Sequence, residues 1–96
     1  MTPPELRQLP AADAATLPPL VRALWHEAHG DWAAAHALAQ DIESPEAARV
    51  HAYLHRKEGD ESNAGYWYRR AGEPLPSVSF EAEWSSIASA LLAPRS

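Results

Sequence analysis

Cysteine is absent from the chain. That excludes a disulfide framework, a thiolate zinc site and a thiol nucleophile, and it leaves His, Asp and Glu as the side chains able to hold a metal ion. Long apolar runs are missing too, since no stretch approaches the roughly 18 to 20 residues that a membrane span needs. The opening Met1-Thr2-Pro3-Pro4-Glu5-Leu6 has neither a basic segment nor a continuous apolar one. It does not read as a secretory signal, and a cytoplasmic protein is the expectation. Positive charge is scarce, with 8 Lys and Arg against 13 Asp and Glu and a formal charge of −5. Nucleic acid and anionic membrane both draw on clustered cations to displace counterions, so neither is expected as a partner. Gly-rich phosphate loops and the Gly-x-Ser-x-Gly nucleophile turn are also lacking. No positive case for an enzyme emerges, and no cofactor is expected.

What remains is one globular domain. The 96 residues are 46% hydrophobic, much of it alanine, which stabilises helices more than it fills cores. Residues 1–16 are rich in Pro and Ala and read as an N-terminal arm, with one capping-box turn at Thr2-Pro3-Pro4-Glu5. Residues 17–96 read as a single all-α domain. Its first hairpin spans about 17–42: one helix capped by Thr16 and ended by Gly30, with Val21, Leu24, Trp25 and Ala28 inward, then a second capped by Asp31, with Trp32, Ala35, Ala39 and Ile42 inward. A second hairpin spans about 45–71. Ser44-Pro45-Glu46 starts its first helix, Gly59 ends it, and Asp60 caps its second, which carries Ala64, Trp67, Tyr68 and Ala71 inward until Gly72. Ser77 or Ser79 opens a final helix over about 79–92, whose stripe of Phe80, Trp84, Ile87 and Leu91 suits a cap on the stack.

An internal repeat ties the hairpins together. Shifting the sequence by 29 positions pairs Val21 with Val50, His26 with His55, Gly30 with Gly59, Asp31 with Asp60 and Ala35 with Ala64. Each match has a physical reason: Gly ends a helix in the left-handed region, Asp caps the next, and small Ala lets two helices approach closely. Gly59-Asp60, Ala64, Tyr68, Ala71 and Pro76 stand at the spacing of the tetratricopeptide repeat. The run Ala64-Gly65-Tyr66-Trp67-Tyr68-Arg69-Arg70-Ala71 resembles the second helix of SEL-type repeats, while Gly30, Asp31, Trp32 and Ala35 carry the likeness into the first unit. The resemblance covers about half of the chain and implies stacked α-α hairpins. The string His51-Ala52-Tyr53-Leu54-His55-Arg56-Lys57-Glu58-Gly59-Asp60 also looks like a small family of uncharacterised bacterial and fungal proteins, which implies no activity.

Two constellations carry chemistry. All five histidines lie between positions 26 and 55; His51 and His55 are four apart and His26 and His29 three apart, both ligand spacings on a helix. A structural or solvated role is the bland reading and is preferred, so no metal is expected; were one bound, His51, His55, His26 and His29 would be its ligands. The second constellation gathers Arg49, Arg56, Lys57, Arg69 and Arg70 among Tyr53, Tyr66, Trp67 and Tyr68, a basic and aromatic surface suited to an anion or acidic peptide. Its bland alternative is local pairing of Arg56 with Asp60, Arg69 with Glu73 and Glu46 with Arg49. The favoured reading is a non-catalytic helical-repeat module that meets a protein, a peptide or a second copy of itself. His51, Tyr53, His55, Arg56, Tyr66, Arg69 and Arg70 form its candidate ligand or partner surface. The alternative is a small metal- or anion-binding protein, an enzyme among the options, built on the same His, Arg and Tyr cluster.

Overall fold

A computed structural model describes residues 1–93 of the chain. Among them lie seven helices and no strand: α1 (Pro3–Gln8), α2 (Ala11–Ala14), α3 (Pro19–Ala28), α4 (Trp32–Gln40), α5 (Pro45–Glu58), α6 (Glu61–Ala71) and α7 (Phe80–Leu92). The protein is all-α. No helix among the described residues is long and apolar enough to cross a membrane.

Local chemistry accounts for most of the helix ends. Gly30 and Gly59 both take the left-handed conformation, at φ 81° and 88°. Behind them the Asp31 and Asp60 amides donate to the His26 and His55 carbonyls, each at 2.9 Å, which satisfies a terminal carbonyl that the helix leaves unpaired. The Asp31 and Asp60 carboxylates then accept from the amides of Ala34 and Asn63 at 3.0 and 3.2 Å and start α4 and α6. The same short code therefore turns the chain twice. Ser44 and Ser79 cap α5 and α7 through the amides of Ala47 and Ala82. Thr16 does not cap α3: its hydroxyl donates to Asp13 O at 2.8 Å, and Pro18 stands at the helix start with no side-chain cap.

The first sixteen residues are not a loose arm. They hold α1 and α2, and Leu6 is fully buried in the main core against α3 and α7. The expected capping box forms, with Thr2 N–H donating to Glu5 and Glu5 N–H to Thr2. Leu9 packs against the same core, and Ala14 is buried as well; one Leu per turn is too weak a periodic signal to read as a packing face.

α3 packs on α4, α5 on α6, and α4 on α5. Buried alanines mark the close approaches: Ala23, Ala35, Ala39 and Ala88 in the main core, Ala52 and Ala64 between α5 and α6. Large side chains fill the remainder, chiefly Leu24, Val50, Tyr53, Leu54, Trp84 and Ile87. The main packing of α7 is on α3 and α5 rather than on the outer face of α6, so it crosses both hairpins instead of closing the end of a stack. Phe80, expected inward, is 40% exposed and lies under the Arg56 guanidinium, 4.6 Å from its ring centroid. Three indole N–H groups reach main-chain carbonyls of other segments: Trp25 to Leu9, Trp32 to Leu54 and Trp84 to Leu24. Buried indoles need such partners, and here they pin α3 to the N-terminal segment, α4 to α5 and α7 to α3.

Candidate metal centre

Three imidazoles from two helices converge on one point. His36 on α4 and His51 and His55 on α5 each offer a ring nitrogen, and these atoms all lie within 4.8 Å of one another. His36 Nε2 and His51 Nε2 stand 3.0 Å apart. His51 and His55 follow from their spacing of four on one helix face, which puts their rings side by side with centroids 4.8 Å apart. His36 joins them only because α4 packs on α5.

Aromatic walls fix the rings. Trp32, one turn before His36 on α4, stacks on it with centroids 4.8 Å apart, and its own indole is anchored to Leu54 O at 2.7 Å. Trp67 of α6 stacks on His51 at 4.0 Å. His55 donates from Nδ1 to Glu58 Oε1 at 2.7 Å, so its Nε2 is the atom left for a ligand. A carboxylate holding the far nitrogen of an imidazole is the arrangement that orients metal-ligating histidines and raises their basicity. Both α5 histidines are buried and His36 is half-buried.

The environment disfavours the charged form of two of the three rings. Burial, with the neighbouring imidazoles of His36 and His55 adding to it, holds the His51 pKa down to about 4. His36 is lowered by burial and by His55, against a smaller opposing pull from Glu58. At neutral pH these two rings carry lone pairs rather than protons, which is the form that binds a metal.

The other residues singled out from the sequence are distributed differently. His26 and His29 stay apart from the cluster and gather around Trp25: His29 stacks on its ring at 4.0 Å and donates to Trp25 O at 2.8 Å, and His26 meets the ring edge-on. Tyr53 is buried in the core, where its hydroxyl donates to Glu27 at 3.4 Å. Arg56 reaches the buried Glu83 of α7 at 2.8 Å instead of Asp60, and also donates to Val78 O. Tyr68 donates to the second oxygen of the same Glu83. These contacts are structural, with two buried carboxylates, Glu27 and Glu83, each held by a tyrosine and by a cation, Lys57 or Arg56. Tyr66 is 44% exposed and its hydroxyl accepts from Arg70 at 3.0 Å. Arg69 is exposed on the same helix.

A cleft of about 380 Å³ opens beside the cluster, with Gln40, Glu43, Ser44, His51, Trp67 and Arg70 among its walls. His51 therefore belongs both to the imidazole cluster and to the cleft. His36 is the residue that sequence reasoning missed. It sits three places before Ala39 in an alanine-rich helix and has no partner at ligand spacing on its own helix, so only its position across from His51 gives it a role.

No family model matches the chain, and neither a curated protein nor a solved structure is significantly similar to it.

Proposed function

We propose that this protein binds a divalent transition-metal ion through His36, His51 and His55. The observation that carries the reading is the convergence of three imidazole nitrogens within 4.8 Å, supplied by two packed helices. Three imidazole nitrogen donors suit zinc, copper, nickel or cobalt, whereas magnesium and calcium prefer oxygen. A tetrahedral ion with metal–nitrogen bonds of about 2.0–2.1 Å wants its ligand nitrogens roughly 3.3 Å apart. The His36–His51 separation of 3.0 Å is already close to that spacing, and the His55 ligand atom lies within 4.8 Å of both.

Metal analysis and titration of untagged protein test the reading. One equivalent of zinc, cobalt or copper binds, and Ala in place of His36, His51 or His55 abolishes that binding while circular dichroism stays helical. Ala at both His26 and His29 leaves it intact. Copper and nickel also quench tryptophan fluorescence, because Trp32 and Trp67 stack on the ligands. Substoichiometric binding, or binding indifferent to the three substitutions, refutes the proposal.

A second reading, a short helical-repeat module that presents its hairpins to a protein, a peptide or a second copy, is favoured by a separate observation. Leu75, Val78 and Phe80, around the α6–α7 connection, are exposed by 70, 49 and 40%. Its test is the oligomeric state by light scattering across a dilution series, compared between the parent and a Leu75→Ser, Val78→Ser variant. In both readings neither nucleic acid nor an anionic membrane is the partner, as the charge of −5 favours.

A further inference from the structure

We infer that the cleft beside the histidine cluster takes a small oxyanion, a carboxylate or a phosphate group, held jointly by Arg70 and by the open coordination position of the bound metal. The inference rests on the metal reading above and extends it to a ligand.

The cleft holds about 380 Å³, within the size range of small-molecule sites, and His51 forms part of its wall. Three protein ligands leave a tetrahedral ion one position short, and that position is ordinarily filled by water or by a ligand. Ala39, Ala47 and Ala48 keep part of the wall low, and Gln40 and Ser44 add polar groups to it.

Arg70 supplies the second anchor. Its guanidinium lies over Trp67 and Tyr66, 5.3 and 5.8 Å from their ring centroids, and its Nη1 donates to Tyr66 Oη at 3.0 Å. These contacts hold the head group in place while most of its N–H donors remain free. Among the described residues no carboxylate lies within ion-pairing distance of it, in contrast to Arg56, whose charge is matched by Glu83. A preorganised guanidinium with free donors is the group that recognises carboxylate and phosphate by paired hydrogen bonds.

Charge balance makes the anion depend on the metal. The cleft wall carries one cation, Arg70, and one carboxylate, Glu43, so its charged side chains give it no excess of either sign. A dication bound by the histidines tips it strongly positive. Free energy coupling is reciprocal, so an anion that binds the metal-loaded cleft better than the empty one also tightens the metal.

Cobalt provides the probe, because its visible absorption reports coordination number and ligand exchange. The full chain is loaded with Co²⁺ and titrated separately with sodium acetate and sodium phosphate; whichever gives the tighter response identifies the source of the oxyanion. The expected result is a saturable spectral change and a rise in Co²⁺ affinity of about 5-fold or more, as for a typical coupled pair of sites. Arg70→Gln binds Co²⁺ as the parent does and loses the anion response by about 10-fold or more, the loss of one charge-assisted contact. Glu43→Gln strengthens the response, since it removes the opposing charge. A Co²⁺ spectrum that ignores both anions, or an anion response unchanged in Arg70→Gln, overturns the oxyanion site and leaves the metal reading standing. Absence of Co²⁺ binding in the parent overturns both.

Discussion

The indole N–H of Trp84 donates to the carbonyl of Leu24 at 3.1 Å, joining residues sixty positions apart in the centre of the core. Trp84 is the largest fully buried side chain, and through it α7 is fastened to α3. Trp84→Ala is expected to destabilise the fold by about 3–5 kcal/mol, the range for deleting a buried Trp or Phe. Trp84→Phe keeps most of the packing and loses the hydrogen bond, a smaller cost of about 1–2 kcal/mol. Urea denaturation of the two variants checks the order; equal midpoints for parent and Trp84→Ala would show that α7 adds nothing to the core.

Gly59→Ala and Gly30→Ala should each cost about 1 kcal/mol, from the positive φ alone. Nothing lies within 4 Å of a Cβ built at either position, so steric collision adds no further penalty. Thermal melting gives the comparison, and near-equal losses at the two sites are the expected outcome because the two turns share one hydrogen-bond pattern. A loss at one turn only would mean that the shared pattern does not carry shared energetics.

Tyr53 and Tyr68 give the fold an alkaline limit. Burial raises the pKa of both phenols, Tyr53 with added repulsion from the Glu27 and Glu83 charges and Tyr68 with its hydrogen bond to Glu83 as the next cause. A group whose folded pKa is raised contributes stability that is intact below its unfolded value, about 10 for tyrosine, and is lost as pH rises past it. Two of the three tyrosines are therefore expected to resist ionisation above pH 10 until the protein unfolds. Absorbance titration at 295 nm run beside circular dichroism measures this; all three phenols ionising together while the helices persist would contradict it.

Removing the carboxylate behind His55 should weaken the metal site without touching a ligand. Glu58→Gln keeps an acceptor at the same place but withdraws the negative charge facing His55 Nδ1. Metal affinity is expected to fall by roughly 10- to 100-fold, as for the outer partners of other metal-binding histidines. Competition against a chromophoric chelator reads the change, and an unaltered dissociation constant would remove Glu58 from the site.

Glu83 is 3% exposed and accepts from both Arg56 and Tyr68. Glu83→Ala leaves Arg56 without its buried partner, and breaking such a pair costs about 3–5 kcal/mol. Glu83→Gln retains hydrogen bonding and is expected to fall between that variant and the parent in chemical denaturation. Identical stability of the Ala and Gln variants would mean that charge, rather than hydrogen bonding, is what the site requires.

From α3 onward the sequence by itself determined the helices and most of the turns between them. Gly30-Asp31 and Gly59-Asp60 act within a few residues: a left-handed glycine and a capping carboxylate need only the adjacent backbone, so their meaning is written locally. Ser44, Ser79 and the Thr2–Glu5 box are legible for the same reason. Spacing of four likewise brought His51 and His55 onto one face. Tertiary structure decided everything that depends on which faces meet. It drew Leu6 into the core, laid α7 across α3 and α5, and turned Tyr53 and Arg56 inward to Glu27 and Glu83. It also brought His36 to 3.0 Å from His51 and left His26 and His29 around Trp25. Helical periodicity says which residues share a face, whereas a site built from two helices is set by how those helices pack, and packing is a property of the whole core.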